Sequence, residues 1–190
     1  MNSEGELTMK MKKSLAIVAV CCFGLVLAAK IGMAQGDKSK RPSPPASAKC
    51  SLEGGKSIAV DYSSPRAKGR KVYGGIVPYG EVWRAGANEA TTFVTDSEVT
   101  VGGKVVPAGS YTLFTVPNKD KWVLVISKKT GEWGTPYPGA DSDFARVDMK
   151  AATLPSNVEN FTIGFEKAGT GCTLYMDWET TRASVDIVKK

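Results

Sequence analysis

Polar, charged and aromatic residues suited to ligand recognition are concentrated in one stretch, residues 61–93, which reads DYSSPRAKGRKVYGGIVPYGEVWRAGANEATTF. Guanidinium groups bind carboxylates and phosphates through two points and stack on aromatic rings. Polar groups that converge on a pocket orient a ligand there. We therefore predict that this stretch forms a ligand-binding surface from seven residues: Tyr62, Arg66, Arg70, Trp83, Arg84, Asn88 and Glu89.

A structural role for the same residues is the competing interpretation. Arg84 stands between Trp83 and a small Ala-Gly-Ala run, where the backbone can approach another chain segment closely. The Arg84 guanidinium can pair with Glu89 or Asp61 inside the fold, and buried Arg–carboxylate pairs are often architectural. On this interpretation the stretch is a scaffold that pins an irregular loop over the edge of the fold.

Catalysis finds little support in the residue types present. The chain contains no histidine, which excludes Ser-His-Asp and Cys-His catalysis in their usual forms and most zinc sites. Two carboxyl groups alone suffice for glycoside hydrolysis, so a carboxylate-dependent hydrolase of envelope or extracellular carbohydrate remains an alternative. Its candidate carboxylates are Asp61, Glu89, Asp177 and Glu179. We predict no catalytic residue, no metal and no cofactor.

Three further features bear on the binding of sugars, calcium and nucleic acids. Trp133 lies in a loop rich in Gly and Pro together with Tyr137, and it is the best candidate for an exposed aromatic side chain. Asp141 and Asp143 are the only pair that suggests calcium, and they lack the rest of a calcium-binding loop. The net charge is +6, but the basic residues are scattered, so we expect no nucleic-acid binding.

Short β-strands are predicted on both sides of the central stretch. Apolar and polar residues alternate, as at Phe161, Ile163 and Phe165, and a period of two is typical of strands. Paired glycines at 102–103 predict a tight hairpin turn. The pattern predicts an all-β fold, a β-sandwich or jelly-roll-like domain, with strands at 57–62, 90–95, 99–101, 104–106, 110–116, 122–127, 145–150, 159–166, 172–179 and 182–188.

The beginning of the chain has the pattern of an export signal. Lys10, Lys12 and Lys13 precede an apolar run over 14–29, and small residues permit cleavage before Gln35. An uncleaved N-terminal anchor is the alternative, because the apolar segment approaches the length that spans a bilayer. We expect the protein to be exported, either periplasmic or extracellular, with membrane contact only if this segment is retained.

Composition divides the rest of the chain into two parts. After a signal peptide over 1–34, residues 35–49 are rich in Pro and Ser, which predicts an extended linker. A single β-sandwich domain is expected over 50–190, since 190 residues suit one domain with extensions.

Cys50 and Cys172 are the cysteines of the predicted domain. An exported chain lies in an oxidising environment, which favours a disulfide between them. A reactive thiol is the functional alternative, although no histidine is available to activate one. Two buried free thiols are the third possibility.

Motifs along the whole domain carry a family resemblance. They are the segments YSSPR (62–66), GR (69–70), VPYG (77–80), VWRAGANEAT (82–91), GG (102–103), VPAGSYTLF (106–114), GEWG (131–134), RV (146–147), ENFTI (159–163) and WE (178–179). On these motifs the chain resembles domain-of-unknown-function family 2911 (DUF2911), a family of exported bacterial proteins, from Cys50 to the C-terminus. The resemblance implies an exported, β-rich domain. It brings no established catalytic residues and no known cofactor.

The function predicted from these observations is that of a non-catalytic, exported binding module. Its partner is expected to be a small ligand, a glycan or an envelope component, bound through the surface formed by residues 62–89. The hydrolase and the purely structural scaffold stay open as alternatives.

Overall fold

The computed structural model describes residues 37–190, and Ser39–Lys190 form one compact unit. The predicted signal peptide, 1–34, lies outside the described residues. Within residues 37–190, no helix has the length and apolar character needed to cross a membrane.

The described residues form nine strands, and every pairing between neighbouring strands is antiparallel. Short 3-10 turns occur at Lys38–Lys40, Glu53–Gly55 and Ala140–Ser142. The prediction of an all-β fold is therefore confirmed. The strands are β1 (Pro45–Ser51), β2 (Ser57–Ser63), β3 (Thr91–Thr95), β4 (Val99–Val101), β5 (Lys104–Val106), β6 (Gly109–Val116), β7 (Trp122–Ser127), β8 (Asp143–Ala168) and β9 (Gly171–Lys189).

All strands belong to one continuous sheet in the order β1-β2-β3-β6-β7-β8-β9-β4-β5. The two long strands β8 and β9 form a hairpin that replaces the four short C-terminal strands predicted from the sequence. Their register shifts between Thr153 and Val158 and again between Val158 and Thr162. Bulges of this kind bend a strand without ending its pairing, which explains why the sequence pattern breaks where the strand does not.

The bend brings the β8–β9 hairpin over the β1–β2 end of the sheet, so the architecture is sandwich-like. Tyr62 of β2 meets Phe161 of β8 edge-to-face, with ring centroids 5.9 Å apart. The Tyr62 hydroxyl accepts a hydrogen bond from the main-chain N–H of Ile163 at 3.0 Å. Trp122 and Trp178 are fully buried in the same core. The core is therefore closed by aromatic contacts between residues far apart in sequence.

A disulfide joins Cys50 of β1 to Cys172 of β9, with the two Cα atoms 6.6 Å apart. Both cysteines are buried. The bond ties the first strand of the sheet to the last strand of the chain, as the sequence predicted.

Strand β1 begins at Pro45, inside the segment 35–49 that the sequence predicted as a linker. It pairs with β2 from Pro45↔Ser63 to Ser51↔Ser57. Proline is compatible with a strand at its first residue and at a sheet edge, where no ladder hydrogen bond needs its nitrogen. Small Ala and Ser side chains suffice here, because this edge strand buries only one of its seven residues fully.

Candidate functional site

A cavity of about 460 Å³ opens between the segment that precedes β1 and the turn that follows β2. We call it the basic cleft. Two of the seven predicted site residues line it, and three of its lining side chains are cationic. The lining residues are Pro42, Ser43, Pro65, Arg66, Lys68 and Arg70.

The turn that carries the cationic residues is fixed to β8. The Ser64 hydroxyl donates to the Phe161 carbonyl at 2.6 Å, and the Ala67 N–H donates to the Glu159 carbonyl at 3.0 Å. The Lys68 N–H donates to the Glu159 carboxylate at 2.7 Å. Lys68 and Gly69 both have positive φ values in this turn, 50° and 69°. These bonds hold the backbone of the turn in place.

The guanidinium groups of the basic cleft are held by oxygens other than carboxylates. Arg66 donates through Nη1 to the Ser64 carbonyl at 2.8 Å and to the Ser64 hydroxyl at 2.6 Å. Arg70 donates through Nε to the Ala67 carbonyl and through Nη2 to the Arg66 carbonyl. Among residues 37–190 neither arginine forms an ion pair. Each guanidinium therefore keeps N–H donors for an incoming acceptor.

Two further predicted residues hold the opposite wall. Asn88 donates through Nδ2 to the Ser43 carbonyl at 2.9 Å. Both carboxylate oxygens of Glu89 accept from Arg41 Nη1, at 2.8 and 2.9 Å. Asn88 has a φ of 55°, a conformation that Asn tolerates better than most residues. Asn88 and Glu89 thus position the chain before β1, and the pairing of Glu89 with Arg84 considered from the sequence does not occur.

Tyr62 and Trp83 lie in the aromatic core and do not line the basic cleft. Tyr62 is buried, and burial raises the pKa of its hydroxyl. The Trp83 ring stacks on Trp178 with centroids 5.8 Å apart and meets Phe161 edge-to-face at 4.9 Å. Its backbone pairs with Thr115 of β6. Tyr62 and Trp83 therefore attach the segment between β2 and β3 to the aromatic core.

Arg84 lies apart from the other guanidinium groups, against the loop 130–139. Its Nη1 donates to the Thr135 hydroxyl at 3.1 Å and its Nε to the Gly86 carbonyl at 3.2 Å. Burial lowers the pKa of this guanidinium. The seven predicted residues therefore fall into four groups. Arg66 and Arg70 line the basic cleft, Asn88 and Glu89 hold its opposite wall, Tyr62 and Trp83 lie in the core, and Arg84 lies apart.

Three of the four carboxylates considered for hydrolysis have separate partners, and the fourth, Asp61 of β2, is exposed. Asp177 accepts from Arg182 at 2.8 and 2.7 Å, and Glu179 accepts from the Val72 N–H at 3.0 Å. Asp143, considered for calcium, accepts instead from the Tyr137 hydroxyl at 2.6 Å. In the part of the chain that is described, no three His, Cys, Asp or Glu side chains are grouped as metal ligands.

Sequence reasoning missed four lining residues of the basic cleft, Pro42, Ser43, Pro65 and Lys68. Lys68 was available as a signal, because Lys-Gly in a polar turn favours a left-handed conformation at the glycine. Pro42 and Ser43 carried no such signal, since their place depends on the contact with Asn88. A larger cavity, of about 710 Å³, lies at the disulfide end and was not predicted. It is lined by Lys49, Glu53 and Lys167 among others, and there Lys167 Nζ already donates to the Ser51 carbonyl.

Comparison with known proteins identifies a family. Residues 43–187 match the family described as "Protein of unknown function (DUF2911)". No curated protein and no solved structure shows significant similarity to the chain. The match spans most of the 190 residues, so the chain belongs to the DUF2911 family.

Proposed function

We propose that the protein is an exported, non-catalytic binding module that holds an anionic group in the basic cleft. The ligand class is a carboxylate, phosphate or sulfate carried by a small molecule, a glycan or an envelope component. The observation that carries this proposal is the set of three cationic side chains around a cavity of about 460 Å³ with no acidic lining residue.

Preorganisation of the arginines supports recognition at this place. Arg66 and Arg70 are oriented by bonds to Ser64, Ala67 and the main chain, so a ligand does not have to order them. Charge-assisted hydrogen bonds from guanidinium to an oxyanion are about twice as strong as neutral ones. An anion that reaches both arginines would therefore gain affinity at little entropic cost.

Export is supported by the N-terminal sequence pattern and by the disulfide. Cys50 and Cys172 are joined, and disulfides persist mainly in oxidising compartments. The hydrolase alternative has less support, because no carboxylate lines the basic cleft and three of its four candidate carboxylates, Glu89, Asp177 and Glu179, each have a separate partner.

The test is titration of the protein with phosphate, sulfate and citrate at low salt. Calorimetry and NMR of the backbone amides measure the binding. We expect binding that weakens as salt screens the charges, with shifts at the turn 64–70. The double substitution Arg66→Gln and Arg70→Gln should weaken it at least about tenfold, since loss of a charged hydrogen bond costs about 2 kcal/mol.

The control carries Lys104→Gln and Lys128→Gln, two exposed lysines outside the cleft. It removes the same charge, so affinity should stay close to that of the unchanged protein. Equal weakening in both double variants, or no binding of any of the three anions, would contradict the proposed site.

A further inference from the structure

From the loop between β7 and β8 we infer a second binding site, in which Trp133 and Arg84 recognise an acidic sugar. The indole would stack on the apolar face of a pyranose ring, and the guanidinium would bind its carboxylate. The site shares no residue with the basic cleft and does not depend on the function proposed above.

Trp133 differs from the other tryptophans of the domain. It is 57% exposed, whereas Trp122 and Trp178 are each 1% exposed and Trp83 packs against the core. A large aromatic ring left in water forgoes the free energy of burial. An exposed ring on a loop is also available to stack on a ligand.

The backbone of the loop is anchored on both sides of Trp133. The residue before Trp133 is anchored, because the Ala90 N–H donates to the Glu132 carbonyl at 3.0 Å. The residues after it are anchored by the bond from Arg84 to Thr135. Gly134 has a φ of 88°, and a Cβ added there would come within 3.0 Å of Arg84 Cδ. Trp133 is thus presented between two attachments to the segment 84–90.

Arg84 supplies the charge next to this ring-bearing loop. Its guanidinium is half-buried, and among residues 37–190 it has no carboxylate within ion-pair distance. Its two bonds, to Thr135 and Gly86, use neutral oxygens. A partly desolvated charge without a counter-charge gains from an incoming anion, and burial lowers its pKa in keeping with that desolvation.

The combination selects a sugar that carries a carboxylate. Neutral sugars would use the indole alone, and inorganic anions would use the guanidinium alone. A uronate uses both, since its ring has an apolar C–H face and its carboxylate projects from the ring edge. Arginine suits this carboxylate because its planar fork can bind both oxygens.

The test uses a short oligogalacturonate and its methyl ester, with intrinsic fluorescence and saturation-transfer NMR as readouts. The acid should bind the full chain and quench the fluorescence of Trp133, and the ester should bind at least about tenfold more weakly. Trp133→Ala should abolish the quenching and weaken binding about tenfold, whereas Trp133→Phe should retain most of the affinity. Polygalacturonate is titrated in parallel, to distinguish a free oligosaccharide from a polysaccharide as the source of the ligand.

Phe144→Ala is the matched control, because Phe144 is another exposed aromatic residue, and it should leave binding unchanged. Arg84→Gln should reduce the preference for the acid over the ester. Should that variant fold poorly, Trp133→Ala still decides, since its side chain lies at the surface. The inference is overturned if the oligogalacturonate does not bind, if Trp133→Ala binds as well as the unchanged protein, or if acid and ester bind equally. Arg66→Gln with Arg70→Gln should leave this binding intact, which separates failure of the two sites.

Discussion

Arginine side chains are used in two different ways on this molecule. Arg182 is paired with two carboxylates: it donates to Asp177 at 2.8 and 2.7 Å and pairs with Glu166, and it lies 4.2 Å from the centre of the Tyr175 ring. Those contacts raise its pKa, chiefly through Asp177. Arg66 and Arg84 are held by neutral oxygens instead. The first arrangement neutralises the charge inside the fold, and the second leaves each guanidinium without a carboxylate partner among residues 37–190.

Asp186 gives a prediction at the scale of one carboxyl group. The Thr173 hydroxyl donates to it at 2.7 Å and lowers its pKa, with a smaller contribution from Lys150. A folded-state pKa below the unfolded one stabilises the protein above the ordinary Asp pKa, about 4, and that stabilisation is lost as pH falls through the folded value. Asp186→Asn should therefore cost about 0.5 kcal/mol at neutral pH, a small amount because the group is exposed.

Urea unfolding of both proteins at about pH 7 and about pH 3 measures this difference. It should be present at the higher pH and shrink at the lower one. Lys128→Gln, which removes an exposed charge just after β7, two strands from β9, should show no such convergence. A difference that is the same at both values would mean that the Thr173 contact does not act through the charge.

At the scale of elements, strands were predictable where alternation and turn chemistry agree. The hairpin β4–β5 lies as expected, with Gly102 and Gly103 at positive φ. The sequence predicts four short strands in place of the β8–β9 hairpin, because the bulges of the hairpin interrupt the alternation of apolar and polar residues. Strand β1 was missed because its Pro, Ala and Ser residues have low strand propensity. Strand β1 is held in place by its pairing with β2, by the disulfide, and by the contact of Ser43 with Asn88 just before the strand begins.

The disulfide gives a prediction at this scale. It closes a loop of 122 residues, for which the chain-entropy account gives a stabilisation of about 4–5 kcal/mol. Cys50→Ala with Cys172→Ala should lower the free energy of unfolding by that order, measured by urea denaturation. Adding a reductant should lower the stability of the unchanged domain and leave the double variant unaffected.

Thiol labelling of the folded domain is the accompanying measurement. Residues 39–190 contain only these two cysteines, so no label should be incorporated before reduction and two after it. Labelling of two thiols without a reductant, or equal stability of the variant and the unchanged domain, would contradict the bond.

At the scale of the whole molecule, the residues from Ser39 to β1 belong to the compact unit, and two of them line the basic cleft. The sequence placed Arg66 and Arg70 in the central stretch, but it did not reveal what faces them. That wall comes from Pro42 and Ser43, which are held by Asn88 and by the pair between Arg41 and Glu89. Contacts across more than 40 residues of sequence leave no local pattern, so the basic cleft could not be derived from the stretch 61–93 alone.

A comparison of two shortened chains tests this dependence. The chain 39–190 keeps β1 and both walls of the basic cleft, whereas the chain 50–190 lacks five of the seven residues that pair with β2. Each lost main-chain hydrogen bond removes about 1 kcal/mol before the entropy of the freed chain is counted, so the shorter chain should be less stable by on the order of 3 kcal/mol. It should also lose phosphate binding even under conditions where it remains folded. Both chains keep Cys50, Cys172, Arg66 and Arg70, so the disulfide and the cationic turn are matched. Denaturation and phosphate titration of the pair decide the matter: equal stability would remove β1 from the folded unit, and equal phosphate affinity would remove Pro42 and Ser43 from the site.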